Sequence, residues 1–165
     1  AGVMMGSRSG DIDPSAVTFL MDKLGKKPQE MADFLNKQSG VKGISGISSD
    51  IREVEAGIRE GNERAKLAME MYDYRIKKYI GAYAAAMGGV DIVVFTAGVG
   101  EHQWDVRQGA CEGLEFMGIK IDAEKNKANC GEEEIISASD SKVKVVVVPT
   151  DEELLIASDT LDLVK

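Results

Sequence analysis

Apolar residues recur every three or four positions over long stretches of this chain, and in two places they run together without a break. Val17, Leu20, Met21 and Leu24 keep helical spacing after "DIDP", where Asp13 suits an N-cap and Pro14 the first helical position. Gly25 is a natural stop. Pro28 opens a second helix with Met31, Phe34 and Leu35 on its apolar side and Gly40 as its end. "GVKGISGISSD" (40–50) reads as a small-residue loop, and Ser49 as the cap of a short helix at 50–56 closed by Gly57. The longest periodic stretch is 62–87, with Ala65, Met69, Tyr72, Ile76, Tyr79, Ile80 and Tyr83 in one stripe. Its acids Glu63 and Glu70 come early and Arg75, Lys77 and Lys78 late, the order a helix dipole favours.

The unbroken runs are 91–96, "DIVVFT", and 142–148, "KVKVVVV". Each reads as a buried strand, and parallel pairing of the two is expected because a helix follows the first. Helices at 62–87 and 104–114 are expected to cover the two faces of their sheet. Between the strands lies short structure over 119–140, with weak strands at 119–121 and 134–138. "PTDE" leads into a last helix at 152–163. Two strong strands are few for so much helix, so the expected fold is an α/β domain that is helix-rich and incomplete, lacking its N-terminal strands.

Composition narrows the partners. The chain has 165 residues, one domain's worth, and a net charge of −8 that argues against nucleic acid or an anionic membrane as the main partner. A phosphate can still be held locally by arginines and backbone N–H groups. The apolar stretch 79–100 is interrupted by Gly88, Gly89 and Asp91, so it reads as a helix end and a strand rather than a membrane span. Cys111 and Cys130 form no CxxC pair, and a single histidine leaves no zinc cluster. They are read as reduced thiols of a cytoplasmic protein.

Four stretches carry candidate chemistry. In "MGSRSGDIDP" (5–14), Arg8 stands among small residues, where a guanidinium either reaches a phosphoryl group or is simply solvated. In "SSDIR" (48–52), Asp50 and Arg52 could meet a sugar hydroxyl, a base or a phosphate, or could merely start a helix. In "VVFTAGVGEH" (93–102), Gly98 and Gly100 strip side chains from the segment that follows a strand. That is either a surface for a flat ligand or an ordinary βα turn. In "VVVVPTDEEL" (145–154), acids follow the C-terminal end of a buried strand, the usual ligand side of an α/β sheet. Asp151 or Glu152 could hold Mg²⁺ or favour the helix start, and the two roles are compatible.

Taken together and in order, "MGSRSGDIDP", "SSDIR", "FTAGVGEH", "CEGLEFMGI" and "VVPTDEEL" resemble the C-terminal part of the acetate kinase family. That family carries words close to "MGTRSGDIDP", "SSDxR", "FTGGIGEN", "CEGLEFLGI" and "VIPTNEEL". The resemblance implies the actin-like ATPase (ribonuclease H-like) fold and transfer of phosphoryl between ATP and acetate, giving acetyl phosphate and ADP with Mg²⁺. It implies that Arg8 stabilises the transferring phosphoryl group and that Asp50, Ile51 and Arg52 contact the nucleotide. It further implies that Gly98, Val99, Gly100, Glu101 and His102 cradle the adenosine, and that Glu152 is a magnesium ligand. The bare segment after the first strand would then be bare because adenosine lies against it.

Two departures from the family's words matter. His102 stands where asparagine is usual, and Asp151 where the family has the asparagine of "TNEE". The family's N-terminal domain, with its acetate-pairing arginine, catalytic aspartate and "HLGNG" phosphate hairpin, has no counterpart in these 165 residues. Residues 1–165 are therefore expected to be a C-terminal, nucleotide-side fragment, inactive alone, from an enzyme that is a homodimer. Alternatives are a propionate or butyrate kinase fragment, or a nucleotide-binding or dimerisation module without chemistry.

Overall fold

The computed structural model describes residues 2–164 and divides into two compact units, Ala1–Tyr83 and Ala84–Lys165. The first is built from helices. In α1 (Pro14–Leu24) the Ser15 N–H donates to the Asp13 carboxylate at 2.7 Å, and Gly25 closes the helix in the left-handed region at φ 62°. In α2 (Pro28–Lys37) the Glu30 carboxylate accepts from the Lys27 N–H at 2.7 Å.

Gly40 does not end α2 but begins α3 (Gly40–Ser45), so 40–50 is not the loop that its small residues suggest. Val41 and Ser45 bury one side of this short helix, a tertiary gain that outweighs poor propensity. Asp50, rather than Ser49, caps α4 (Ile51–Arg59) by accepting from the Arg52 N–H. Gly57 lies inside α4, not at its end. A Cβ there would come 2.5 Å from Ile47 Cδ1, so a larger residue would have to displace the end of that side chain. The Asn62 side chain then caps α5 (Glu63–Met87) through the N–H groups of Arg64 and Ala65. Met31, Val41, Val54, Ala65 and Ala68 are all but fully buried and form the core of this unit.

The second unit holds a three-stranded sheet in the order β1–β3–β2. The two strong strands, β1 (Ile92–Phe95) and β3 (Lys144–Val147), pair in parallel, with Ile92 opposite Lys144 and Phe95 opposite Val147. β2 (Glu134–Ile135) adds to β3 antiparallel, and Ile119 makes an isolated parallel bridge to Val143. Between β1 and β2 lie α6 (Ala97–His102), α7 (Trp104–Cys111), a single 3-10 turn at Glu115–Met117 and α8 (Ala123–Ala128). Val106, Ala110, Ile119, Ile136, Val145 and Val147 are buried in this unit.

Cover on both faces of the sheet is not what the structure has. Val145, Val147 and Phe95 are buried, but Ile92 and Val94 on the alternate face are each 52% exposed and Ile135 48%. The last helix, α9 (Glu152–Val164), buries none of its residues, although Leu154, Leu155, Ile156 and Leu161 are apolar. Two strands and a stub have one packed face, and the period-2 alternation of exposure along β1 and β3 follows from that.

Candidate functional site

The first unit draws two of the candidate words together. The loop 5–9 is laced to the chain at 35–42. Ser9 N–H donates to Leu35 O (3.0 Å), Ser39 N–H to Ser7 O (3.0 Å), Val41 N–H to Met5 O (3.0 Å) and Lys42 N–H to Gly6 O (2.8 Å). Two glycines permit this closeness. Gly40, at φ 62°, would with a Cβ strike Met5 O at 2.1 Å and Arg8 O at 2.6 Å. A Cβ on Gly6 would lie 2.6 Å from Ser49 O, so the loop abuts the start of "SSDIR". The backbone of Arg8 is thus fixed while its side chain is exposed. Farther along the loop, Asp11 accepts from Tyr79 Oη at 2.6 Å and Arg75 Nη2 at 2.8 Å. The Tyr79 hydrogen bond, then the Arg75 charge, hold the Asp11 carboxyl below the usual range against some desolvation.

Asp50 and Arg52 are engaged with each other. Asp50 Oδ1 accepts from Arg52 Nε at 3.0 Å and Oδ2 from Arg52 Nη2 at 2.6 Å, a two-pronged pair. Arg52 hydrogen bonding lowers the Asp50 carboxyl pKa. Both side chains are open to solvent, and the flat guanidinium is held in one orientation by its fork. Ile51 differs: its side chain is 7% exposed and belongs to the core, which leaves its backbone for any ligand contact.

In the second unit, "AGVGEH" is a six-residue helix, α6, rather than an open loop. So short a segment with two glycines shows no period to read. Its entry is unusual, because Ala97 has φ 59° and is the one non-glycine residue with positive φ among the described residues. The two glycines have different grounds. A Cβ on Gly100 would sit 3.1 Å from the Phe95 carbonyl carbon, so β1 crowds any side chain there. At Gly98 nothing lies within 4 Å of the Cβ position, and φ is not in the left-handed region. Among the described residues, no packing accounts for glycine at 98.

Glu101 ties α6 to the segment after β3. Its Oε1 accepts from Thr150 N–H and Thr150 Oγ1, each at 2.9 Å. These bonds, with the Ala97 N–H, hold the Glu101 carboxyl below its ordinary pKa although burial works the other way. The carboxylate is 8% exposed and committed to this task. His102 Nδ1 meets Cys130 O at 3.0 Å, leaving Nε2 3.9 Å from Glu101 Oε2. Gly131 makes room for the ring, since a Cβ there would come 2.7 Å from His102 Cε1.

Asp151 caps α9, accepting from Leu154 N–H at 3.0 Å, and Glu152 is exposed in its first turn. Among the described residues, no three His, Cys, Asp or Glu side chains gather as a metal site. Cys111 and Cys130 form no disulfide, and Cys111 is buried while Cys130 is exposed. No helix is long and apolar enough to cross a membrane among these residues. A cavity of about 540 Å³ lies at the other end of β1, lined by Met87, Gly88, Gly89, Val90, Asp91 and Ile92, away from α6.

One residue of this region escaped the sequence reading. Arg107 is fully buried and binds the carbonyls of Gly100, Glu101, Asn126 and Asn129. An arginine among polar neighbours in "WDVRQG" carries no signal of burial. The word "CEGLEFMGI" proves to be scaffold: Cys111, Leu114 and Ile119 are buried, and Gly118 O accepts from Ser141 Oγ and from the Lys142 and Val143 N–H groups.

The family model described as the acetokinase family matches residues 1–158. The acetate kinase of Bacteroides thetaiotaomicron is 64% identical over 164 residues, covering 99% of this chain and 41% of the relative. That of Phocaeicola vulgatus is 66% identical over 160 residues, covering 97% of this chain and 40% of the relative. The crystal structure of Porphyromonas gingivalis acetate kinase superimposes with a TM-score of 0.94 at 58% identity, over 99% of this chain and 41% of that one. A propionate kinase from Francisella tularensis gives 0.85 at 38% identity, over 94% of this chain and 39% of that one. The chain spans about two fifths of the length of these relatives. With the family's words in order and its fold reproduced, the chain belongs to the acetokinase family.

Proposed function

We propose that this chain is the C-terminal, nucleotide-side part of an acetate kinase, which transfers phosphoryl between ATP and acetate to give acetyl phosphate and ADP. The observation that carries this reading is Gly98. Glycine inside a helix costs about 0.5–1 kcal/mol relative to alanine. Here neither packing nor φ requires it, so its use is explained by a ligand that lies against α6. Glu101 supports the same reading, since it holds α6 and the start of α9 together just beyond the C-terminal ends of two parallel strands.

The roles divide by residue. The rigid loop presents Arg8, whose guanidinium neutralises charge on the equatorial oxygens as phosphoryl moves. Gly98, Val99 and Gly100 form the floor for adenosine, and Glu101 fixes that floor. His102 presents Nε2, and the Asp50–Arg52 fork offers a flat cation and an acceptor to the nucleotide. Glu152 is one exposed carboxylate, a donor that fits Mg²⁺ retaining water and phosphate oxygens. When bound, the ion would offset phosphate charge.

The same reading accounts for the open sheet face and for α9, since the relatives are more than twice as long and their remaining residues would cover these surfaces. Leu67, Met71 and Tyr74, exposed at helical spacing on α5, suit a homodimer contact. The deciding experiment uses ADP titration by calorimetry on this chain, together with phosphoryl transfer by the enzyme that contains it. Acetate, propionate and butyrate are compared as acceptors, with hydroxylamine trapping of the acyl phosphate. ADP binding with acetate preferred is the expected result. No ADP binding rejects the nucleotide reading, and a preference for propionate moves the enzyme to the second kinase type.

A further inference from the structure

Arg107 makes five hydrogen bonds, all to neutral oxygens. Nη1 donates to Gly100 O (2.9 Å) and Glu101 O (2.7 Å). Nη2 donates to Asn126 O (2.8 Å) and Asn129 O (3.1 Å), and Nε to Asn126 Oδ1 (2.7 Å). The side chain is 0% exposed, and no carboxylate is among its hydrogen-bond partners. The Asp105 charge favours the guanidinium without a hydrogen bond to it, but burying a cation with only neutral hydrogen-bond partners is still costly, and core packing would be served more cheaply by an apolar residue. Burial accordingly lowers its pKa, with the guanidinium still charged at any ordinary pH.

The two carbonyls gripped by Nη1 belong to the last residues of α6, where helix carbonyls lack intrahelical partners and a cation is favoured. A six-residue helix does not hold its own shape in water. The other partners form a frame. Asn126 Nδ2 donates to Trp104 O at 2.8 Å, Asn129 Nδ2 to Glu132 O at 2.9 Å, and Cys130 O receives His102 Nδ1 at 3.0 Å. Residues 126–131 therefore reach α6 twice, through Arg107 and through His102.

We propose that Arg107 is a positioning residue for the nucleotide, fixing the Gly100 and Glu101 peptides of α6 against the 126–131 segment so that the 98–102 surface is preformed. The proposal rests on the reading of 98–102 as the adenosine surface. A preformed surface lowers the ordering cost of binding, so its loss appears in nucleotide affinity before it appears in the chemical step. Lysine cannot replace the planar fork, because its ammonium has three donors and no fixed plane.

The test compares wild-type chain, Arg107→Lys and Ile119→Val, which trims a buried side chain of the same unit that touches none of this network's hydrogen bonds. Thermal midpoint, circular dichroism and ADP titration are measured for each. In the enzyme that contains the chain, KM for ATP and kcat are measured as well. Expected are ADP affinity about tenfold weaker in Arg107→Lys, KM raised by a similar factor with kcat within about threefold, and wild-type affinity in Ile119→Val. Wild-type affinity in a folded Arg107→Lys, or an equal loss in Ile119→Val, overturns the proposal. If Arg107→Lys does not fold, amide hydrogen exchange on the wild type decides. ADP should slow exchange across 98–102 and 126–131 together, and protection of 98–102 without 126–131 overturns the coupling. Failure of the wild type to bind ADP is the separate outcome that removes the nucleotide reading and this inference with it.

Discussion

Thr150 gives both its backbone N–H and its hydroxyl to one oxygen of Glu101, each at 2.9 Å, across 49 residues of sequence. This joins the segment after β1 to the segment after β3. Two words that look like independent ligand loops are therefore one structural assembly, and Glu101 serves as its clasp. Thr150→Val removes one of the two donors and keeps the N–H. It is expected to weaken ADP binding by about three- to tenfold and to lower the thermal midpoint slightly. Calorimetry and a melting curve measure both. Unchanged affinity would mean that the clasp does not support the nucleotide surface.

The same clasp has a pH signature. Glu101 is held below its ordinary pKa by Thr150, so the folded state binds its proton less readily than the unfolded state. Its stabilisation is complete above the unfolded glutamate pKa, about 4.3, and is lost as pH falls through the lower folded value. Asp11 behaves alike in the first unit through Tyr79 and Arg75. Denaturant melts from pH 6 downward should therefore show stability flat to about pH 5 and falling below it. In Glu101→Gln the fall should be shallower. An identical acid profile in that variant would remove Glu101 as a contributor.

Gly98 separates ligand from fold. Gly98→Ala should leave the structure intact and raise stability by about 0.4–1 kcal/mol, because φ and space both permit the methyl group. ADP affinity should fall at least tenfold if adenosine rests there. A variant that is more stable and binds ADP normally would take the ligand away from this surface.

Ala97 is the reverse case. With φ 59° it occupies a conformation that suits glycine, and the family's word "FTGGIGEN" has glycine there. Ala97→Gly should relieve about 1 kcal/mol, read as an upward shift of the unfolding midpoint. A downward shift would show that the methyl group contributes packing that exceeds the strain.

Arg8 should matter to chemistry and not to folding. Its side chain is exposed and its loop is held by backbone hydrogen bonds and by the Ser7 hydroxyl, which donates to Asn36 O. Arg8→Ala in the enzyme that contains this chain is expected to lower kcat on the order of 10²-fold, with KM for ATP changed far less. Weaker ATP binding at an unchanged kcat would make Arg8 a ground-state contact. The 165-residue chain by itself is expected to form no acetyl phosphate, because it spans only about two fifths of the length of the acetate kinases it matches. Hydroxylamine trapping with purified chain checks that, and turnover abolished by Arg8→Ala would refute it.

Local signals in the sequence were enough for α1, for the start of α2, for α5 to within a residue and for the parallel pair of strands, because caps, prolines and apolar periods are properties of neighbouring residues. They were also enough for the family, since five ordered words survive reading in one dimension. What they could not contain is distance along the chain converted into contact. The α3 helix at 40–45 exists because Val41 and Ser45 are buried, and Gly40 is glycine because the Arg8 loop crosses it. The different grounds for Gly98 and Gly100 became visible only when β1 was seen beside one and open space beside the other. Glu101 and Arg107 look like ordinary charged residues in sequence. Only the fold, by bringing Thr150 to the one and four backbone carbonyls to the other, makes them the fixed points around which α6 is held.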